Sequence, residues 1–163
     1  MFEIPQDLHP DLMPLGWLLG RWEGHGHGDY PTIEKFEFGQ QIDFSHNGKP
    51  YLHYVSQTFV VGADGKPERP LAMETGFWRP KPDKKLEVVL SHPTGFAEIW
   101  YGEIDGAKIE MRTDVVARTE TAKEVTAGHR LYGLVRGELM WAFDMAAVGQ
   151  PLQPHIWATL RRS

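Results

Sequence analysis

Four sets of residues in this 163-residue chain have types and spacings suited to chemistry. His25 and His27 stand at i and i+2 in the run Gly20-Arg21-Trp22-Glu23-Gly24-His25-Gly26-His27-Gly28-Asp29-Tyr30-Pro31. On an extended strand this spacing puts both imidazoles on one face, where they could chelate a metal. That face also carries Arg21, Glu23 and Asp29, the composition of a row turned to solvent. No third ligand follows at a suitable distance, so the pair reads as exposed rather than metal-bound. His155 lies in Pro151-Leu152-Gln153-Pro154-His155-Ile156-Trp157-Ala158-Thr159-Leu160. Pro154 disfavours helix before it and makes His155 the first residue of a last strand. Alternation then places His155, Trp157 and Thr159 on one face and Ile156, Ala158 and Leu160 on the other. Such an imidazole has two readings: a partly buried, hydrogen-bonded histidine, or a neutral ligand to a metal or haem iron with Met145 and Trp157 as apolar neighbours. Thr32, after Tyr30-Pro31, is an ordinary strand residue or a hydroxyl donor to a ligand. Lys123, in the polar segment Thr119-Glu120-Thr121-Ala122-Lys123-Glu124, is a solvated lysine or a counter-charge for a ligand carboxylate at a pocket rim.

Other chemistries are excluded by what the chain lacks. It has no cysteine, which removes disulfides, Cys-ligated zinc, iron–sulfur clusters and Cys nucleophiles. Gly-x-Ser-x-Gly, a phosphate-binding glycine loop and His-Glu-x-x-His are all missing. The alternating Gly24, Gly26 and Gly28 do not make a dinucleotide fingerprint, because no helix or βαβ unit follows. The formal net charge is −5 and the basic residues are scattered, so no basic stripe suits nucleic acid. Met1 to Pro14 does not resemble a signal peptide and no segment has the length of a membrane span. A soluble, cytoplasmic protein without membrane partners is expected.

The elements that must position these residues are strands. A short helical segment is predicted from about Asp11 to Leu19, with Leu12, Leu15, Leu18 and Leu19 at helical spacing. The glycine-rich run 20–30 is a strand whose inner face, Trp22, Gly24, Gly26, Gly28 and Tyr30, leaves room for close approach by a backbone, a helix or a flat ligand. Strand-like patterns follow at 36–44, 51–59, 86–91, 96–101, 108–113, 115–118, 129–134, 138–145 and 155–160. Asn47-Gly48, Asp64-Gly65, Asp105-Gly106 and Arg136-Gly137 are hairpin turns between them, and Pro80-Lys81-Pro82-Asp83 marks another reversal. About ten short strands without a long helix predict one all-β domain over 1–163, an antiparallel meander. Closure into a barrel removes its edges and leaves space for a ligand. A two-sheet sandwich is the competing architecture.

These motifs together resemble the nitrobindin family. The resemblance is carried by Gly20-x-Trp22-x-Gly24-x-Gly26-x-Gly28-x-Tyr30-Pro31, by Phe44-Ser45-His46-Asn47-Gly48-Lys49-Pro50, and by Glu74-Thr75-Gly76-Phe77-Trp78-Arg79-Pro80-Lys81-Pro82. Ala117-Arg118 through Lys123 and Leu152-Gln153-Pro154-His155 complete it. It implies a ten-stranded antiparallel barrel of the lipocalin and fatty-acid-binding-protein shape. It also implies one haem b per chain, with His155 as the axial iron ligand and Thr32 and Lys123 as haem contacts. The implied activity is isomerisation of peroxynitrite to nitrate on ferric haem, which scavenges reactive nitrogen species and limits tyrosine nitration. Nitric oxide is a further implied ligand, and the resemblance allows a homodimer. One departure is visible: Ala72 stands where many members carry a histidine near the haem, which implies a more apolar distal side. Two alternatives stay open. One is a non-enzymatic nitric oxide carrier or sensor using the same haem. The other is a haem-free lipid- or fatty-acid-binding barrel, for which a buried arginine pair would be needed among Arg112, Arg118 and Arg130.

Overall fold

In the computed structural model, which describes residues 2–163, ten strands close into one antiparallel barrel. A 3₁₀ helix, Pro10–Leu18, precedes β1 (Gly20–Tyr30), β2 (Ile33–Ser45), β3 (Leu52–Val61), β4 (Pro67–Lys81) and β5 (Lys85–His92). These are followed by β6 (Phe96–Asp105), β7 (Lys108–Arg118), β8 (Val125–Val135), β9 (Glu138–Ala147) and β10 (Gln153–Arg162). Each strand pairs with its neighbour in sequence, and β1 pairs with β10 to complete the ring. Closure leaves no unpaired edge, which settles the barrel over the sandwich.

The expected number of strands is correct, but its composition is not. Residues 108–118 form one strand, β7, and not two. Trp100 pairs with Thr113 and Ile99 with Val115, so Asp114 is an extra residue in a bulge that breaks the alternation without ending the strand. The sequence pattern also misses β4, whose first half, Pro67-Glu68-Arg69-Pro70, carries two prolines and two charges. Its register against β3 slips at Thr58/Phe59 and again at Val60/Val61. The expected N-terminal helical segment is a 3₁₀ helix. Leu12, Leu15 and Leu18 recur every three residues, the 3₁₀ repeat, and all are fully buried.

The helix closes one end of the barrel. Trp22 Nε1 donates to the Leu18 carbonyl at 2.8 Å, and the Arg162 guanidinium donates to the Trp17 and Leu19 carbonyls. These contacts satisfy acceptors that the helix end would leave orphaned. Above this plug sit Leu52, Trp78, Leu86, Ile109, Leu139 and Leu160, all fully buried. In an up-and-down barrel the connections after odd-numbered strands gather at the other end. The β1–β2 turn with Thr32, the β7–β8 loop with Lys123, the end of β5 and the start of β10 with His155 therefore share one rim.

On β1 the alternation holds as expected. Trp22, Gly26, Gly28 and Tyr30 are buried, while His25 and His27 are exposed. The bare glycine face is covered by the barrel's own side chains. A β-carbon at Gly26 would lie 2.6 Å from the Trp157 carbonyl oxygen and 2.7 Å from Ala158 Cβ, and would overlap the Phe38 ring. One at Gly28 would overlap the Phe36 ring. Gly26→Val is therefore expected to cost about 3 kcal/mol or more, at the upper end of overpacking effects. Urea denaturation measures this directly.

Candidate functional site

The site is organised by one irregularity in β10. Pro154 pairs with Asp144 and Ile156 with Phe143, so His155 is the additional residue of a bulge. Upstream of the bulge the register turns residue 155 inward; downstream it turns residue 156 inward. Both therefore face the interior, where alternation alone would separate them. This corrects the expected grouping of His155 with Trp157 and Thr159. Trp157 points outward, 45% exposed, and stacks on His27 with ring centroids 6.0 Å apart. It is not a neighbour of a group bound inside the barrel, whereas Met145 is buried on the inward row of β9.

The His155 ring lies against aromatic edges, 5.3 Å from the Tyr30 ring and 5.8 Å from that of Phe143. Tyr30 is itself clamped. Its hydroxyl donates to the Met145 carbonyl at 3.0 Å and accepts from the Ala147 N–H at 2.9 Å, tying the end of β1 to β9. His155 Nδ1 is 3.0 Å from the Asp29 carbonyl oxygen. A carbonyl only accepts, so Nδ1 carries the proton and Nε2 keeps a free lone pair. Burial pushes the His155 imidazole below its ordinary range, outweighing the Asp29 hydrogen bond, and the positive charges of Lys123 and Arg130 act in the same direction. The result is a neutral imidazole, oriented by a backbone acceptor, in an aromatic wall with a thioether nearby. That is the donor state and outer-shell support a haem iron requires of a histidine, so these residues fit the group.

Thr32 and Lys123 lie at the same rim but are exposed, on the β1–β2 turn and the β7–β8 loop. Ala72, on the exposed outer half of β4, pairs with Thr58. His25 and His27 point away from the site, and no cluster of three metal-ligating side chains occurs among the described residues.

Sequence reasoning left the barrel's polar layer unread. Arg130 is fully buried and forms a bidentate pair with Glu74, Nη1 to Oε2 at 2.5 Å and Nη2 to Oε1 at 2.9 Å. The Tyr54 hydroxyl donates to Glu74 Oε2 at 2.9 Å, and Arg130 Nη1 lies 3.2 Å from the Tyr132 hydroxyl. Burial alone would raise the Glu74 carboxyl. The charge and hydrogen bonds of Arg130, helped by His92 and Tyr54, overcome this and lower it to about 2. The Arg130 guanidinium also lies over the rings of Phe143, Trp100 and Trp141, at 4.6, 4.9 and 5.4 Å. The signal was present in the strand pattern: Gly128, Arg130 and Tyr132 alternate on the inward row of β8, with the charge in the middle.

Comparison with known proteins agrees with the barrel fold. The family described as THAP4-like, heme-binding beta-barrel domain matches residues 11–162. A "Peroxynitrite isomerase" from Nocardioides sp. is 56% identical over 161 residues, covering 99% of this chain and 98% of the relative. A "Ferric nitrobindin-like protein" from Cutibacterium acnes is 57% identical over 164 residues, covering 99% of each. Among solved structures, that of Rv2717c from M. tuberculosis superposes with a TM-score of 0.86 at 44% identity, covering 96% of this chain and 99% of that one. With its closed ten-strand barrel and a match over nearly its whole length, the chain belongs to the THAP4-like haem-binding β-barrel family.

Proposed function

We propose that this barrel holds one haem b through His155 and isomerises peroxynitrite to nitrate in the ferric state. The observation that carries the reading is the His155 imidazole, turned inward by the β10 bulge, with Nδ1 engaged by the Asp29 carbonyl and Nε2 free. The relatives named peroxynitrite isomerase, at 56% and 48% identity, support the activity. When bound, ferric haem supplies a Lewis acid and an open coordination position for the anion.

The chain's own residues supply the rest. The Asp29 carbonyl fixes the ring tautomer and the imidazole's orientation. Phe143, Tyr30, Phe36 and Met145 provide an apolar wall that would exclude water from the bound group. Lys123 and Thr32, exposed at the rim, would meet the polar edge of the group, with Lys123 offering a counter-charge to a carboxylate. By converting peroxynitrite before it escapes, the protein would scavenge reactive nitrogen species and spare tyrosines from nitration.

The lipid-carrier alternative is disfavoured by the charge layout. Arg112 and Arg118 are exposed, and the one buried arginine, Arg130, is already neutralised by Glu74. No unpaired buried cation awaits a fatty-acid carboxylate among the described residues. The nitric oxide carrier and the isomerase share a haem and are separated by kinetics. Stopped-flow mixing of the ferric haem-loaded chain with peroxynitrite should accelerate its decay and yield nitrate. Decay no faster than with His155→Ala would overturn the isomerase and leave the carrier.

A further inference from the structure

The barrel carries a second inward imidazole, on the wall facing His155. In the closed order of ten strands, β5 lies five strands from β10 in either direction, which makes it the strand diametrically opposite. The inward row of β5 is Leu86, Val88 and Leu90, all fully buried, and it continues to His92. His92 ends β5 at the rim where β10 begins. Its side chain is 11% exposed and its ring stacks on Phe96, with centroids 3.9 Å apart and an interplanar angle of 14°.

Two carboxylates flank this ring. Nε2 is 2.6 Å from Glu98 Oε1, a contact that requires a proton between them. Glu98 has a side chain only 1% exposed, and a buried carboxylate is costly unless hydrogen-bonded. Nδ1 lies 4.0 Å from Glu74 Oε1, too far for a hydrogen bond, so it is the nitrogen not engaged by the protein; it can donate to an added anion when the His92–Glu98 pair carries two protons, one between Nε2 and Glu98 and one on Nδ1. Stacking and the Glu98 contact together hold the ring in one orientation. On the neighbouring strand β4, Ala72, two residues from Glu74 toward the mouth, offers only a methyl group.

We propose that His92, held by Glu98 and carrying a proton on Nδ1, is an anion-binding residue of the site, one that would hydrogen-bond a small anion bound to the haem on the side away from His155. The inference rests on the reading of His155 as iron ligand. It adds a polar group to a side that Ala72 would leave apolar, and it assigns a use to the His92–Glu98 pair beyond packing.

Fluoride is a suitable probe, because on ferric haem it is stabilised by a hydrogen-bond donor, while imidazole binds the same position as a neutral ligand. In the ferric haem-loaded chain, His92→Phe should weaken fluoride binding about tenfold or more and change imidazole affinity by less than about twofold. His92→Gln, which keeps a side-chain donor, should recover part of the loss. Equal changes for both ligands, or none, would overturn the proposal and reduce His92 to a partner for buried Glu98. A second measurement needs no variant. The iron–fluoride stretching frequency of the native protein should shift in D2O, and its invariance would also refute an N–H donor. Failure of the haem reading itself is distinguishable: the native chain would then show no Soret change on haemin titration, with no fluoride experiment involved.

Discussion

His155→Ala is expected to abolish specific haem binding while leaving the barrel folded. Haemin titrated into the native chain should give a Soret band that saturates at one equivalent. In the variant, affinity should fall by at least about 100-fold, more than is typical for losing an outer-shell partner, because the iron ligand itself is removed. The cost to the fold is small. The side chain is only partly buried and makes one hydrogen bond, to the Asp29 carbonyl, so about 1 kcal/mol in urea denaturation is the expected loss. His155→Gly with added imidazole should restore the band, because the bulge remains and the ligand returns without its tether. Unchanged haemin affinity in His155→Ala would refute the assignment. The pH dependence has a defined sign. Only the neutral imidazole binds iron, and burial lowers the His155 pKa below its ordinary 6.5. Affinity should therefore stay level as pH falls to 6.5 and decline only below it. In the haem-free protein the unfolded chain takes up this proton first, so the contribution of His155 to stability is full above 6.5 and lost as pH drops through the lowered folded value.

Glu74→Gln should be the most destabilising conservative substitution in the polar layer, costing about 3–5 kcal/mol. It leaves the Arg130 guanidinium fully buried without its counter-charge. Arg130→Met should cost a similar amount for the mirror-image reason. The double variant should lose much less than the sum of the two, since it removes the whole buried pair. A urea-denaturation double-mutant cycle measures that coupling, and additive losses would show that the pair is not an energetic unit. Acid adds an independent check. Glu74 titrates near 2 in the folded protein against about 4.5 unfolded, so its stabilisation is complete above 4.5 and is lost between 4.5 and about 2. The native barrel should weaken across that window, and Glu74→Gln should lose this component of the dependence.

The outward faces of the strands were readable because they follow a period of two. Arg21, Glu23, His25 and His27 alternate with the buried side of β1, and the turns at Asn47-Gly48, Asp64-Gly65, Asp105-Gly106 and Arg136-Gly137 all fall between strands. Local chemistry determined these features: dipeptides that tolerate positive φ, and side chains that alternate across a pleat. Irregular backbone was not readable in the same way. The Asp114 bulge divided β7 in two, prolines concealed β4, and the two errors offset each other in the strand count.

The family and the candidate ligand His155 were visible in the linear motifs, but the direction of that histidine was not. Strict alternation grouped His155 with Trp157, whereas the bulge against β9 turns one inward and leaves the other outside. A bulge is set by how two strands register, and no residue of β10 alone specifies it. Arg130 meeting Glu74, and His92 facing His155 across the barrel, likewise depend on ring closure, which brings together residues far apart in the chain. The sequence by itself determined most of the strands, the turns, the family resemblance and the iron-binding candidate, because those are carried by local patterns and linear motifs. Only the tertiary structure decided which side chains face the interior and what charge they meet there, because burial and pairing belong to the closed barrel and not to any one strand.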